Sequence, residues 1–539
     1  MKSQFMKITF VTLLTVMALW FVPFATVVAT AAEGGAGHEY DGITIEDNRA
    51  TGSTTSLPIA ITIDPTKKIN VYSSRLFGYN DSWVTTNHGL RITRIPTPAG
   101  STNLPVKESY LRALASIPLT MDRMSGTASS YLIWKDAIGS VDQRQVQHIV
   151  WSKFKVLYGP AEWVSNIRRL HPSAEFVWVL NIARDTPENA RDLAEFFTGG
   201  PDTAWGKKRV ACGMKEPMMP AIWELGNEMD WGKEAVDVDE YIKRCRQWIE
   251  AVRSVVPDAV FAAQAASSPW KPSKAKTWMN WHRKVLASLA PDIRYLTFHP
   301  YYRGMAPKAL MPYIQTMTAD IARCSNPGIK LYLSEHGIWP GSGGVKTKNW
   351  RDSWYQGRTL NSCLSTGEWI LLMLQNPAIG AMSYHCLDGG AAWGLIWQDK
   401  SRDRYYTTGP ADMFKLFAGV PYGSDVVFTH MTGSGTDWQQ KDSSFTSAAV
   451  IADEGKSLYL LLNNRMADTS RDMSVHLVGS QEYTLAEKTI LTAPNLDSIN
   501  TLDDHPIQLS RTVCNEDKPF SGMSVPPRCL MLLKLKKRD

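Results

Sequence analysis

The chain has 539 residues, a hydrophobic fraction of 44%, a charged fraction of 20% and a formal net charge of +6. These values describe an ordinary globular protein, long enough for one large domain and a smaller one. So small a charge, with Lys and Arg clustered only in short runs at 207–209 and 536–538, argues against a nucleic-acid partner.

In chain order, the first 31 residues have the form of an export signal. Lys2 and Lys7 supply positive charge, residues 8–28 are largely apolar, and Ala29-Thr30-Ala31 offers a small-residue cleavage site. A membrane anchor is the alternative, since the run is long. Cleavage is preferred, and no later stretch is apolar enough to span a bilayer. The expectation is a secreted or periplasmic protein with no membrane contact after cleavage. Seven cysteines in that setting allow disulfides, with Cys514 and Cys529 the preferred pair. Cys212, Cys245, Cys324, Cys363 and Cys386 read as small buried apolar groups.

Residues 32–56, rich in Gly, Ala, Thr and Ser without hydrophobic period, read as a linker. Leu57 to Asp64 alternates as a half-buried strand does, and residues 57–75 are assigned to a β-sandwich completed later in the chain. From residue 76 the pattern becomes strand, loop, helix, repeated. Strands are expected at 76–80, 117–124, 176–183, 221–228, 259–266, 293–301, 329–337 and 378–386. Helical patterns between them include 187–198, 238–255 and 360–375. Eight strands alternating with helices predict an α/β fold, a (β/α)8 TIM barrel over residues 76–423. A doubly wound sheet is the alternative, but the GxGxxG turn expected after an early strand is missing. Beyond residue 424 the helical period stops, and short strands follow at 447–452, 457–463, 473–478, 483–491 and 529–535. They predict a C-terminal β-sandwich over 424–539 that also takes the N-terminal strand.

Polar residues gather where the barrel strands end. Ala221-Ile222-Trp223-Glu224-Leu225-Gly226-Asn227-Glu228 is an apolar strand closing on an adjacent amide and carboxylate. Residues 329–337 have the same form around Glu335. In a parallel barrel such ends face the active site. A structural pairing with Arg would explain either glutamate alone. Two of them in this pattern point to glycoside hydrolysis, with Glu228 as acid/base and Glu335 as nucleophile, about 5–5.5 Å apart if configuration is retained. Asn80-Asp81, Asp122-Arg123, Asn181, Asn227, Gln264, His299, Tyr301 and Tyr384-His385 close the strands and suit sugar hydroxyls. Arg123 is expected to keep Glu335 ionised.

Several residues have a plainer reading beside the functional one. Glu224 reads as the partner of a buried Arg or Lys more readily than as a third catalytic carboxylate. His299 and His336 lack HxH or HExxH spacing, so pocket hydrogen bonding is preferred to zinc, and no metal or cofactor is expected. Trp393 and Trp397 stack on a sugar or pack as core aromatics, with equal weight. Residues 341–347 miss phosphate-loop spacing and read as a loop over the pocket.

Trp223-Glu224-Leu225-Gly226-Asn227-Glu228 resembles the acid/base strand of clan A glycoside hydrolases, where Asn-Glu closes the fourth barrel strand. Glu335 matches that clan's nucleophile at the end of the seventh. Arg123-Met124-Ser125-Gly126 and Trp134-Lys135-Asp136-Ala137-Ile138-Gly139 are similar to the Arg-x-Pro-Gly-Gly and Trp-Arg-Asp-x-Ile-Gly segments of the α-L-arabinofuranosidases. So are the split sandwich and the ending Val525-Pro526-Pro527-Arg528-Cys529-Leu530. The resemblance implies a retaining glycosidase acting on a polysaccharide or oligosaccharide, with Asn227 on the hydroxyl next to the anomeric carbon. Asp81, Arg123, Asn181, His299, Tyr301 and Trp393 are the further substrate-binding candidates.

The chain departs from the family at three places. Gly78-Tyr79-Asn80-Asp81-Ser82 replaces Gly-x-x-x-Glu-His, leaving Asp81 to grip the sugar. Ser125-Gly126-Thr127 replaces Pro-Gly-Gly, and Ser334-Glu335-His336-Gly337 replaces Asp-Glu-Trp-Asn. These changes alter the sugar subsite. A heparanase-like β-glucuronidase and an agarase- or xylanase-type hydrolase therefore stay open. So does a non-catalytic carbohydrate-binding protein, which would not need both glutamates.

Overall fold

The computed structural model describes residues 58–86, 105–124, 126–267, 269, 276–302, 307–341, 350–388, 392–437, 443–514 and 516–538. The expected export signal and linker, Ser125 and residues 342–347 of the loop lie outside the described residues.

Eight parallel strands close into a barrel in chain order. They are Gly78–Asp81, Met121–Met124, Glu175–Leu180, Ile222–Leu225, Phe261–Gln264, Tyr295–Thr297, Lys330–Ile338 and Ile379–His385, the last pairing with the first. Each overlaps an expected strand. The main difference is at 117–120, which runs as loop into Met121; Pro118 has no N–H to give a ladder there. Helices cover the outer face and side chains fill the inner one, so the strands are apolar nearly throughout. Met121, Val177, Ile222, Ala262, Tyr295, Tyr332 and Ala381 form one interior cluster. Two residues further along, the inward positions include Arg123, Glu224, Gln264 and Ser334. The interior thus changes from apolar to polar toward the strand ends.

Some of the covering helices begin where the chain supplies a side-chain cap. Thr186 accepts the Asn189 N–H at 3.2 Å before the Pro187–Thr198 helix, and Asp237 accepts from Asp239 and Glu240 before Val238–Arg253. Among the described residues, no helix is long and apolar enough to cross a membrane.

The second body is a nine-stranded sheet folded as a sandwich. Ile59–Val71 pairs antiparallel with Asp425–Thr432 and parallel with Arg471–Leu477, so the N-terminal strand is part of it. Ile59, Ile61 and Ile63 alternate into a core with Leu458, Leu460, Leu462, Met531 and Leu533. The Val146–Ile149/Ser152–Lys155 and Ile396–Asp399/Arg404–Thr407 hairpins have no counterpart among the expected elements. Their short, partly exposed strands carry no hydrophobic pattern long enough to read.

The cysteine pairing needs correction, because all seven thiols are free. The Cys514 N–H bonds the carbonyl of Ala486, whereas Cys529 sits opposite Thr492 on the same strand. Six residues of strand separate the two positions, about 20 Å, far beyond disulfide reach.

Candidate active site

Glu228 stands on a turn that most residues avoid. Strand Ile222–Leu225 is fully buried and ends at Gly226 with φ +79°; a Cβ there would come within 2.9 Å of the Ile182 and Met229 side chains. Glu228 itself has φ +50°, in the left-handed region uncommon for a non-glycine residue. That backbone brings Oε2 to the Trp231 indole N–H at 2.9 Å and Oε1 to His299 Nδ1 at 3.0 Å. His299 in turn reaches Ser334 Oγ through Nε2 at 3.0 Å. Burial pulls the His299 imidazole down, but Glu335 and Glu228 outweigh it and hold the proton above the ordinary histidine range.

Glu335 lies on the long seventh strand and is more enclosed, its side chain 7% exposed against 18% for Glu228. Tyr301 donates its hydroxyl to Oε2 at 2.7 Å, and Arg123 Nη1 donates to Oε1 at 3.0 Å. His299 and His385 place Nδ1 3.8 and 4.0 Å from Oε2. Burial alone would raise this carboxyl. His299, His385, Arg123 and the Tyr301 hydroxyl together hold it well below the usual carboxylate range. His385 is itself pushed down by burial, so the permanent cation is Arg123. One carboxylate oxygen of Glu228, one of Glu335 and a ring nitrogen of His299 all lie within 4.8 Å of one another. This is the one cluster of metal-ligand type among the described residues. Glu228 and His299 are already hydrogen-bonded to each other, Glu335 is held by Tyr301 and Arg123, and that guanidinium opposes a second cation there.

Arg123 is locked from three sides. Nε and Nη2 form a bidentate pair with Glu224 at 2.6 and 2.9 Å, and Nη2 also donates to Asn227 Oδ1 at 2.8 Å. Glu224 is therefore the buried arginine's partner. Asn227 has its oxygen occupied, and its amide nitrogen is the group left to donate. Gly126 fits the same knot. A Cβ there would stand 2.7 Å from Glu335 Oε1. Gly126→Ala is expected to displace the carboxylate and lower kcat by about 10–100-fold with folding retained. Kinetics beside a melting curve would check this; unchanged kcat would show that the close approach is immaterial.

The remaining candidates divide. Asp81 differs from its expected role: strand alternation turns it to the outer layer, where the Trp163 indole N–H donates to it at 3.1 Å and to Asp122 at 2.9 Å. Its neighbour Asn80 takes the inward place and bonds His385 Nδ1 at 2.8 Å. Asn181 is not joined to the glutamates either. It donates to Leu132 O at 3.1 Å and accepts the Arg184 N–H at 3.0 Å, bracing two loops. Trp393 is buried, donates to Ile338 O, and backs Tyr301 and His385 at ring distances of 5.3 and 5.0 Å. Arg358 covers the ring of Trp397 at 3.8 Å. Sequence reading missed Trp231 and Gly126 as site residues, because a turn's handedness and an approach between strands leave no mark in residue type.

His336 belongs to the core and not to the mouth. It stacks on Tyr302, its Nδ1 has no partner among the described residues, and burial lowers it to about 3. A folded pKa below the unfolded value of about 6.5 means full stabilisation above pH 6.5, lost progressively as pH falls toward 3. Between pH 7 and pH 5, His336→Phe is expected to lose about 2 kcal/mol less stability than the wild type. Urea unfolding at the two pH values measures it, and parallel losses would exclude His336 as the source.

Comparisons with known proteins bear on the fold and on part of the chain. Residues 122–288 match the family profile described as the Alpha-L-arabinofuranosidase 1 domain. The Thermotoga maritima α-L-arabinofuranosidase structure superposes with a TM-score of 0.74 at 18% identity, covering 89% of this chain and 100% of that one. Over 407 residues the chain is 23% identical to the intracellular exo-alpha-(1->5)-L-arabinofuranosidase 1 of Bacillus subtilis, covering 68% of this chain and 76% of that protein. The chain is similar to α-L-arabinofuranosidases over part of its length and shares their fold.

Over 249 residues this arabinofuranosidase-like chain is 25% identical to the intracellular exo-alpha-(1->5)-L-arabinofuranosidase of Streptomyces lividans. That match covers 45% of this chain but only 36% of the relative, and the Bifidobacterium longum match covers 40% of its relative. The expected secreted or periplasmic location is overturned here. Five arabinofuranosidase relatives, from S. lividans, B. longum, B. subtilis, Acetivibrio thermocellus and Halalkalibacterium halodurans, are named intracellular. The apolar run over residues 8–28 is also longer than the core of about 7–15 residues usual in an export signal.

Proposed function

We propose that the protein is a retaining glycosidase of the α-L-arabinofuranosidase kind, cleaving polysaccharide or oligosaccharide by double displacement. Glu335 attacks the anomeric carbon while Glu228, protonated, donates to the departing glycosidic oxygen; the C–O bond breaks and a glycosyl ester forms. Glu228 then takes a proton from water, the water oxygen bonds the anomeric carbon, and Glu335 leaves. His299 sits where it can exchange a proton with Glu228 through Nδ1 while keeping Ser334 on Nε2. Asn227, His299 and Tyr301 face the bound sugar, Arg123 holds Asn227 and Glu335 from beneath, Trp393 backs Tyr301, and Asp81 and Asn181 brace the surrounding structure. The proposed domains are a catalytic barrel over 76–423 and a sandwich of 57–75 with 424–539.

The observation that carries this reading is the pair of glutamates in unlike surroundings. Their oxygens lie within 4.8 Å, and Glu335 is held anionic. That spacing is nearer the separation of about 5–5.5 Å that goes with retention than the about 6.5–9.5 Å that goes with inversion. The test is a panel of 4-nitrophenyl glycosides with the first-formed anomer followed by NMR. The panel holds α-L-arabinofuranoside, β-D-glucuronide, β-D-xyloside, β-D-glucoside and β-D-galactoside. Arabinofuranoside hydrolysis with retention supports the proposal. Inversion would sink the double displacement, activity on another sugar alone would sink the substrate assignment, and silence on the panel and on polysaccharides would sink both.

A further inference from the structure

The turn that aims Glu228 is gripped from the next barrel strand. Gln264, buried at the end of Phe261–Gln264, accepts the Met229 N–H on Oε1 at 2.9 Å. Met229 is fully buried, so no water can replace that bond. The same residue anchors the other end of the turn. Its N–H donates to the Tyr241 hydroxyl at 2.9 Å, and that hydroxyl donates to Leu225 O at 2.9 Å. Trp281 Nε1 fixes the Gln264 carbonyl at 3.1 Å. Between these two anchors run Gly226 and Glu228, both with positive φ. Gln264 Nε2 is buried with no partner among the described residues. An apolar residue of similar size would pack there without leaving such a group unsatisfied. The oxygen of this side chain, not its bulk, is what the site uses.

We propose that Gln264 is a positioning residue that holds Glu228 in its left-handed backbone so that the carboxyl faces the glycosidic oxygen. The inference rests on the reading of Glu228 as acid/base. Without the Oε1 acceptor, the Met229 N–H loses its partner, Glu228 relaxes to an ordinary φ, and its carboxyl leaves His299 and Trp231. Proton donation matters most when the leaving group is poor, so the loss depends on the leaving group.

The experiment measures kcat/KM for 2,4-dinitrophenyl, 4-nitrophenyl and methyl α-L-arabinofuranosides. The proteins are wild type, Gln264→Leu, Gln264→Glu and Glu228→Gln. Gln264→Leu is expected to lose about 10²-fold on the methyl glycoside and less than about 5-fold on the dinitrophenyl one. Gln264→Glu, which keeps an oxygen acceptor, restores most of the methyl glycoside rate. The ratio between substrates does not depend on the fraction of protein folded. A uniform loss for Gln264→Leu, or no rescue by Gln264→Glu, overturns the positioning role while Glu228→Gln still shows its own leaving-group-dependent loss. If Glu228→Gln keeps the wild-type rate on the methyl glycoside, or the wild type hydrolyses none of the three, the acid/base reading falls and the inference with it.

Discussion

Glu335→Gln is expected to lower kcat by about 10⁴-fold or more on every glycoside the wild type hydrolyses, with folding retained. The amide is nearly isosteric, so Tyr301 and Arg123 keep a partner at one end. What disappears is the charge. In the folded protein Glu335 is ionised well below the usual carboxylate range, because His299, His385, Arg123 and the Tyr301 hydroxyl together outweigh burial. Its ionisation therefore stabilises the fold above the unfolded carboxylate pKa of about 4.3, and that contribution is lost as pH falls through the depressed folded value. The variant should accordingly show a flatter acid-unfolding profile than the wild type. Residual turnover within tenfold of wild type, on protein shown by mass to be unreverted, would rule Glu335 out as the nucleophile.

Removing the partner of Arg123 should have the largest effect on stability. Glu224→Ala leaves a fully buried guanidinium with Glu335 as its remaining carboxylate. Burial works against the Arg123 charge, and Glu224 is the chief group that offsets it. Breaking such a pair from one side typically costs about 3–5 kcal/mol. Urea unfolding at neutral pH measures it. A loss below about 1 kcal/mol would place the pair with weak surface bridges and remove its claim to organise the site. Activity should fall as well, because the same guanidinium holds Asn227 and Glu335 in place.

Much of the architecture was legible because it depends on repeating chemistry. Eight apolar segments alternate with amphipathic ones, and the barrel has one strand for each. The 59–63 alternation leads into the sandwich core because a period of two selects one face. The polar residues closing the fourth and seventh strands do meet, since strand ends of a closed barrel converge. Other features turned on a single residue of register. Asp81 and Asn80 are adjacent, and the pleat sends one outward to Trp163 and the other inward to His385. Neither residue type announces which. The disulfide expectation failed for a related reason: closeness in sequence says nothing about ladder register, which sets Cys514 and Cys529 against positions six residues apart on the strand between them.

By itself, then, the sequence determined the order of elements, the closed barrel with its split sandwich, and the two glutamates on which the chemistry is proposed to turn. All of these follow from local periodicity and from residue types that are out of place on a buried strand. The tertiary structure alone decided the rest. It set the left-handed backbone at Glu228, the approach of Gly126 to Glu335, the sharing of Arg123 among Glu224, Asn227 and Glu335, and the grip of Gln264 on Met229. These are contacts between residues far apart in the chain. They arise only when barrel closure brings the strand ends together and excludes the water that would otherwise satisfy each group separately.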